Sequence, residues 1–235
     1  MTQSSHRIGT LQERSLHAAL KDWYAQPGDQ FEVRVDRAII DIVRGDLLIE
    51  IQTRNFSAIK RKLTRLLADH PVRLVYPIAI EKWIVRVAGD GSLISRRRSP
   101  KHRHIEHLFS ELVTFPRLIT NPHFSLEVLF IREEEVWSTA PTQQRRSWRR
   151  KGWSRYDRRL MEVVDRRLLR TPADFRALLP ATLAQPFTNK DLALALKHPR
   201  YIAQQITYCL REMGAIRLVG KRGRMLLYSI KRKIQ

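Results

Sequence analysis

The chain has 235 residues, with 44 Lys+Arg against 23 Asp+Glu, a formal net charge of +21. At ~100–200 residues per domain this is one large or two small domains, and 43% hydrophobic residues suffice for a sizeable core, which excludes a wholly disordered chain. The charge predicts attraction to polyanions, nucleic acid before anionic membrane. The single cysteine, Cys209, excludes an intramolecular disulfide framework and a cysteine-built zinc site, and its helical apolar neighbours predict that it is buried. No run approaches ~18 apolar residues. The segment Met1–Gly9 is polar, so a cytoplasmic protein with no membrane partner is expected.

In chain order, residues 10–24 predict an amphipathic helix carrying Leu11, Leu16, Ala19, Leu20 and Trp23, stopped at Pro27-Gly28-Asp29. Residues 31–35 alternate as a half-buried strand. Residues 38–43 and 47–53, joined through Arg44-Gly45-Asp46, predict a β-hairpin. A helix from Ser57 to about Ala68 turns Ile59, Leu63, Leu66 and Leu67 one way and Lys60, Arg61, Lys62 and Arg65 others. Strands follow at 72–79 and 82–87, then a basic loop or arm at 89–104, a helix near 105–113 and a strand near 125–132. The chain is read as helical again from Tyr156. The expected division is a domain over 1–137 with an insertion at 88–137, a basic linker over 138–155, and a second domain over 156–235.

The segment 39–53, IIDIVRGDLLIEIQT, is the most informative. Strand alternation puts Leu48, Glu50 and Gln52 on one face. A two-residue Gly45-Asp46 turn of type II′ pairs Arg44 with Leu47, and hence Asp41 with Glu50. Facing carboxylates repel unless a cation joins them, and a hard divalent ion such as Mg²⁺ suits oxygen ligands. Asp36, at a strand end, ranks second to Asp41.

This D-x8-E-x-Q hairpin, after a helix and a strand and before a helix, resembles the PD-(D/E)xK nuclease superfamily over about residues 9–87. The resemblance implies an α/β fold with a mixed sheet, a restriction-endonuclease-like αβββαβ core. It implies Asp41 and Glu50 as ligands of Mg²⁺ or Mn²⁺, joined by the main-chain carbonyl of Ile51, and hydrolysis of DNA phosphodiester bonds. Gln52 stands where that superfamily usually has Lys, which orients or activates the attacking water. Glutamine carries no charge, so it cannot act as a cationic stabiliser. Glu13 matches an extra acid carried by many members on the first helix.

A second pattern fills the C-terminal region. Thr188 caps a helix over NKDLALAL, Pro199 opens another ended by Gly214, and two apolar strands flank the basic tip Gly220-Lys221-Arg222-Gly223-Arg224. This resembles a winged helix-turn-helix domain, smaller than the first. On helix 199–213, Gln204 and Gln205 suit adenine and Arg200 suits guanine or phosphate, with Lys221, Arg222 and Arg224 reaching backbone or minor groove from the wing. Protein contact is the competing use of such a domain. Lys60 and Lys62 are expected on the DNA backbone, as are Arg149 and Arg150, which interleave with Trp148 and Trp153.

Of the eight histidines, His102, His104 and His107 are close, and the last two, three apart, could make a metal pair, with no third ligand for that pair at clear spacing. The expectation is a metal-dependent DNA endonuclease docked by a winged helix. The alternative is a non-catalytic DNA-binding regulator or complex subunit on an inactivated nuclease fold. DNA is the expected partner, with a homodimer or a larger nucleic-acid-processing complex beyond it.

Overall fold

The structure, a computed structural model, describes residues 16–139 and 152–230. It is a mixed α+β arrangement built on a seven-stranded sheet and a separate two-stranded one. The chain runs α1 (Leu16–Tyr24), β1 (Gln30–Val35), β2 (Ala38–Arg44), β3 (Leu47–Ile51), α2 (Phe56–Leu66), β4 (Val72–Val87) and β5 (Leu93–Arg98). A 3-10 turn (Ile105–Leu108), α3 (Phe109–Leu112), a second 3-10 turn (Pro116–Thr120), β6 (Phe124–Ser138) and β7 (Ser154–Leu169) follow. The chain closes with α4 (Pro172–Arg176), α5 (Asn189–Leu196), α6 (Arg200–Glu212), β8 (Ile216–Arg222) and β9 (Met225–Ile230).

The large sheet has the order β1-β2-β3-β4-β6-β7, with β5 also on β4. β1, β2 and β3 form an antiparallel meander, whereas β3 and β4 are parallel, with Glu50 beside Leu74 and Ile51 beside Val75. A parallel pair needs a crossover, and α2 provides it. The expected hairpin register is present, Arg44 facing Leu47. Gly45 takes φ 55, while Asp46 stays out of the left-handed region, the combination of a type II′ turn.

Three segments differ from expectation. Residues 72–87 form one 16-residue strand, because β4 meets β3 at its start and β5 at Trp83–Val87. Residues 93–98, read as loop, form β5 on the strength of that pairing although every residue in it is exposed. Residues 156–169, read as helical, form β7 together with the last two residues of the expected linker, and arginines of β7 meet acids of β6 across the ladder.

Two compact units divide the chain, and β4, β6 and β7 contribute residues to both. The first comprises 1–25, 79–103 and 130–165. In it α1 buries Leu16, Leu20 and Tyr24 at helical spacing. The second comprises 26–78, 104–129 and 166–235. Its centre is aromatic: Phe56 meets Tyr76 edge-on at 5.0 Å and stacks on Phe115 at 5.3 Å, and Phe115 meets Phe124 at 6.3 Å. α6 buries Ile202, Ile206, Cys209 and Leu210, the stripe expected from sequence. Burial pushes the Cys209 thiol up to about 12, so it is an inert core group.

The start of α2 is capped from a distance. Asn55, its N-cap residue, sits at φ 58 and makes no side-chain cap bond. Instead the Phe56 N–H donates to Glu111 Oε2 of α3 at 3.0 Å, an anion at a helix N-terminus. Phe56→Ala is expected to cost about 3–5 kcal/mol and Glu111→Ala about 1 kcal/mol. Denaturant midpoints at unchanged slope check both values.

Candidate functional site

The carboxylate pair sits where the β2–β3 ladder ends. Paired register runs from Arg44↔Leu47 to Ile42↔Ile49, and Asp41 and Glu50 are the next residues along the two strands. There the Ile51 N–H donates to Asp41 Oδ2 at 2.8 Å, so the main chain at Ile51 stands beside the carboxylate pair. Asp36, the rival acid, takes φ 52 in the β1–β2 turn and faces His70 Nε2 at 3.9 Å.

Glu50 is only 4% exposed. Burial is the chief reason its carboxyl is pushed up to about 7, and the negative charge of Asp41 adds to it. Lys62 opposes both: its ammonium, reaching in from α2, pairs with Glu50 Oε1 and donates to the Ile39 carbonyl. Lys62 is therefore a residue of the carboxylate site as well as a candidate for the DNA backbone. Its neighbour Lys60 remains exposed on α2.

Gln52 is turned elsewhere. Its amide nitrogen donates to the carbonyls of Arg54 at 2.6 Å and Asn55 at 3.0 Å, which spends both amide hydrogens on the turn into α2. In this arrangement that nitrogen is engaged by the turn. Glu13, Arg149 and Arg150 lie outside the described residues.

Asp41 and Glu50 are a pair of oxygen donors. Among the described residues no three His, Cys, Asp or Glu side chains converge to hold an ion as they stand. A pair fits Mg²⁺, which keeps several waters and commonly uses one or two carboxylates plus substrate phosphate. A divalent cation here would relieve the repulsion from Asp41, which adds to burial in raising the Glu50 carboxyl.

The C-terminal expectations divide. Arg200, Gln204, Lys221 and Arg224 are exposed. Gln205 instead accepts a hydrogen bond from Ser110 Oγ at 2.9 Å, and Arg222 pairs with Asp191 at 3.3 Å. Both are partly committed within the protein because α6 packs beside α3 and the hairpin tip lies near the start of α5. The exposed side of α6 also carries Tyr201 and Tyr208, which sequence reading passed over.

Much of the basic run in β7 is neutralised internally. Arg158 binds the fully buried Glu133 at 2.6 Å, and Arg166 approaches Glu127 at 3.7 Å. Lys82 contacts Glu133 at 3.1 Å and Glu135 at 2.6 Å. On the other face of β6, Glu134 takes Arg96 at 2.8 Å.

Residues 14–170 match the family described as a domain of unknown function, DUF8091, a span ending one residue after β7. The chain belongs to this family. It is also 32% identical over 232 residues, 94% of this chain and 86% of the other, to an uncharacterized protein of Treponema pallidum (strain Nichols). No solved structure matches it. The DUF8091 match thus takes in the large sheet, and α4 to β9 lie beyond it. Among the described residues no helix is long and apolar enough to cross a membrane.

The raised Glu50 carboxyl has a stability consequence. Its folded value, about 7, lies above the ordinary 4.5, so folding gains nothing from its ionisation. The penalty is absent below pH 4.5, grows from 4.5 to 7, and is complete above 7. Glu50→Gln is expected to leave stability unchanged at pH 4 and raise it by up to about 3 kcal/mol at pH 8. Denaturant unfolding at the two pH values checks this.

Proposed function

We propose that the chain is a metal-dependent DNA endonuclease of the PD-(D/E)xK type, docked on DNA by a C-terminal winged helix. The observation that carries this reading is the meeting of Asp41, Glu50 and Lys62 at the open end of the hairpin, beside the parallel strand β4. Support comes from the order α1-β1-β2-β3-α2-β4 with β3 parallel to β4, the arrangement expected of that core. For the winged helix, support comes from α4, a backbone bridge between Phe187 and Tyr228, then α5, α6 and the β8–β9 hairpin.

Asp41 and Glu50 would hold Mg²⁺ or Mn²⁺, which when bound supplies Lewis acidity at the scissile phosphate. Asp41 is preset by the Ile51 amide, so it needs no reorganisation to bind. Lys62 supplies the positive charge that Gln52 lacks. With Glu50 holding the ion, Lys62 would be placed to stabilise charge on the phosphate. Glu50 must be ionised to hold the ion, so the affinity of the free protein for Mg²⁺ is expected to rise with pH up to about 7 and to level off above it. Exposed Lys60, Arg61 and Arg65 on α2, with Arg200, Gln204, Lys221 and Arg224, contact DNA.

The protein is incubated with plasmid, single-stranded and branched DNA in Mg²⁺ or Mn²⁺ across pH 6–9. Cleavage is expected, abolished in Asp41→Ala and Glu50→Ala and slowed about 100-fold in Lys62→Met. Binding without cleavage of any substrate would assign the non-catalytic alternative, a DNA-binding regulator or complex subunit, which the commitment of Gln52 to the turn favours. Replacing Arg200, Lys221 and Arg224 together is expected to reduce the slope of log affinity against log salt by about 0.9 for each phosphate no longer neutralised. An unchanged slope would assign the C-terminal region to protein contact.

A further inference from the structure

The fold brings together three histidines that sequence spacing leaves apart. His104 precedes the 3-10 turn Ile105–Leu108, His107 lies within it, and His198 lies between α5 and α6, all within the second compact unit. Ring centroids are 5.1 Å apart for His107 and His198, 5.6 Å for His104 and His198, and 6.3 Å for His104 and His107. His102 is excluded, since its Nδ1 lies 3.0 Å from the Ile80 carbonyl oxygen.

A carboxylate joins them. Glu106 Oε2 lies 3.5 Å from His198 Nε2, with both side chains largely buried, and that oxygen has no hydrogen-bond partner. The separation is long for a hydrogen bond but suits two atoms sharing one ion: ligand bonds of ~2.0–2.1 Å at a tetrahedral angle hold donors about 3.4 Å apart. The same bonds place imidazole centroids about 5 Å apart. Two of the three ring separations are near that distance. The third must shorten by about 1 Å, which the torsions of the exposed His104 side chain can supply. The His107 Nδ1 is within reach of the His104 backbone N–H at 3.1 Å, so His107 would meet an ion through Nε2.

We propose that His104, His107, His198 and Glu106 form a site for a borderline transition metal of the Zn²⁺ class. It is separate from Asp41 and Glu50 and does not rest on the nuclease reading. Imidazole donors select Zn²⁺, Ni²⁺ or Co²⁺, whereas the carboxylate pair suits Mg²⁺ or Mn²⁺. One ion would clip the turn at 105–108 to the connection entering α6, fixing the start of the helix whose outer side carries Arg200, Tyr201 and Gln204.

The test uses the full chain, stripped of metal with a chelator and titrated with Zn²⁺ against a chromophoric competitor, then with Co²⁺ followed by visible absorption. The expected result is one equivalent bound, a four-coordinate Co²⁺ spectrum, and a rise in thermal midpoint with Zn²⁺ that millimolar Mg²⁺ does not reproduce. His198→Ala and His107→Ala are each expected to weaken Zn²⁺ binding at least 100-fold, while Asp41→Ala/Glu50→Ala retains it. The wild-type titration decides even where a histidine variant does not fold. No stoichiometric Zn²⁺ or Co²⁺ binding would overturn the proposal. So would binding unchanged in folded histidine variants, or binding lost only in the carboxylate variant.

Discussion

Burying the Glu50 carboxylate beside Asp41 is the most demanding placement in the second unit, and much of the local structure answers to it. A buried charge without a partner costs several kcal/mol. Glu50 meets that cost with a proton or with Lys62. Lys62 reaches it only because α2 crosses over as it connects two parallel strands. The crossover in turn depends on how α2 begins. Gln52 ties the carbonyls of Arg54 and Asn55, Asn55 takes a left-handed conformation, and Glu111 closes the first turn. Gln52 thus bears on the carboxylates through the helix it launches rather than by touching them.

The hairpin is legible in the sequence because its determinants are local. A glycine that accepts positive φ, a two-residue turn and period-2 alternation leave one register, and Arg44 faces Leu47 accordingly. The C-terminal helices are legible for similar reasons: Thr188 and Asp191 form a reciprocal cap, and Gly214 follows α6 at φ 71. The role of Lys62 is not, because nothing in 57–68 says which side of α2 meets the sheet edge and which meets solvent. β7 reads as helix because its strand character comes from partners in β6, not from its own pattern. His198 cannot be joined to His104 and His107 by spacing, since only the chain's return brings it near them.

The acids of β6 also change how the net charge reads. Glu133 and Glu135 share one face and Glu134 the other, as strand alternation requires. Each meets a cation on its own side, from Lys82 and Arg158 on one and Arg96 on the other. The basic residues near these acids therefore act first as mortar between strands. The charge left to act at a distance comes from exposed groups such as Lys60 and Arg61 on α2 and Lys221 and Arg224 on the β8–β9 hairpin.

β5 is exposed along its whole length, pairs only with β4 among the described strands, and carries Leu93 and Ile94 in view of solvent. An open strand edge of this kind invites another chain to extend the sheet. Here the invitation is barred. Arg96 is held over the Trp83 ring at 4.1 Å and to Glu134, and Arg98 is tethered to Glu81 at 3.1 Å, so the guanidinium groups stand in fixed places. An identical edge drawing near would bring its own arginines against these before any backbone hydrogen bond formed. The row works as a fence against fibrous growth, which matters most while newly made copies are crowded and incompletely folded.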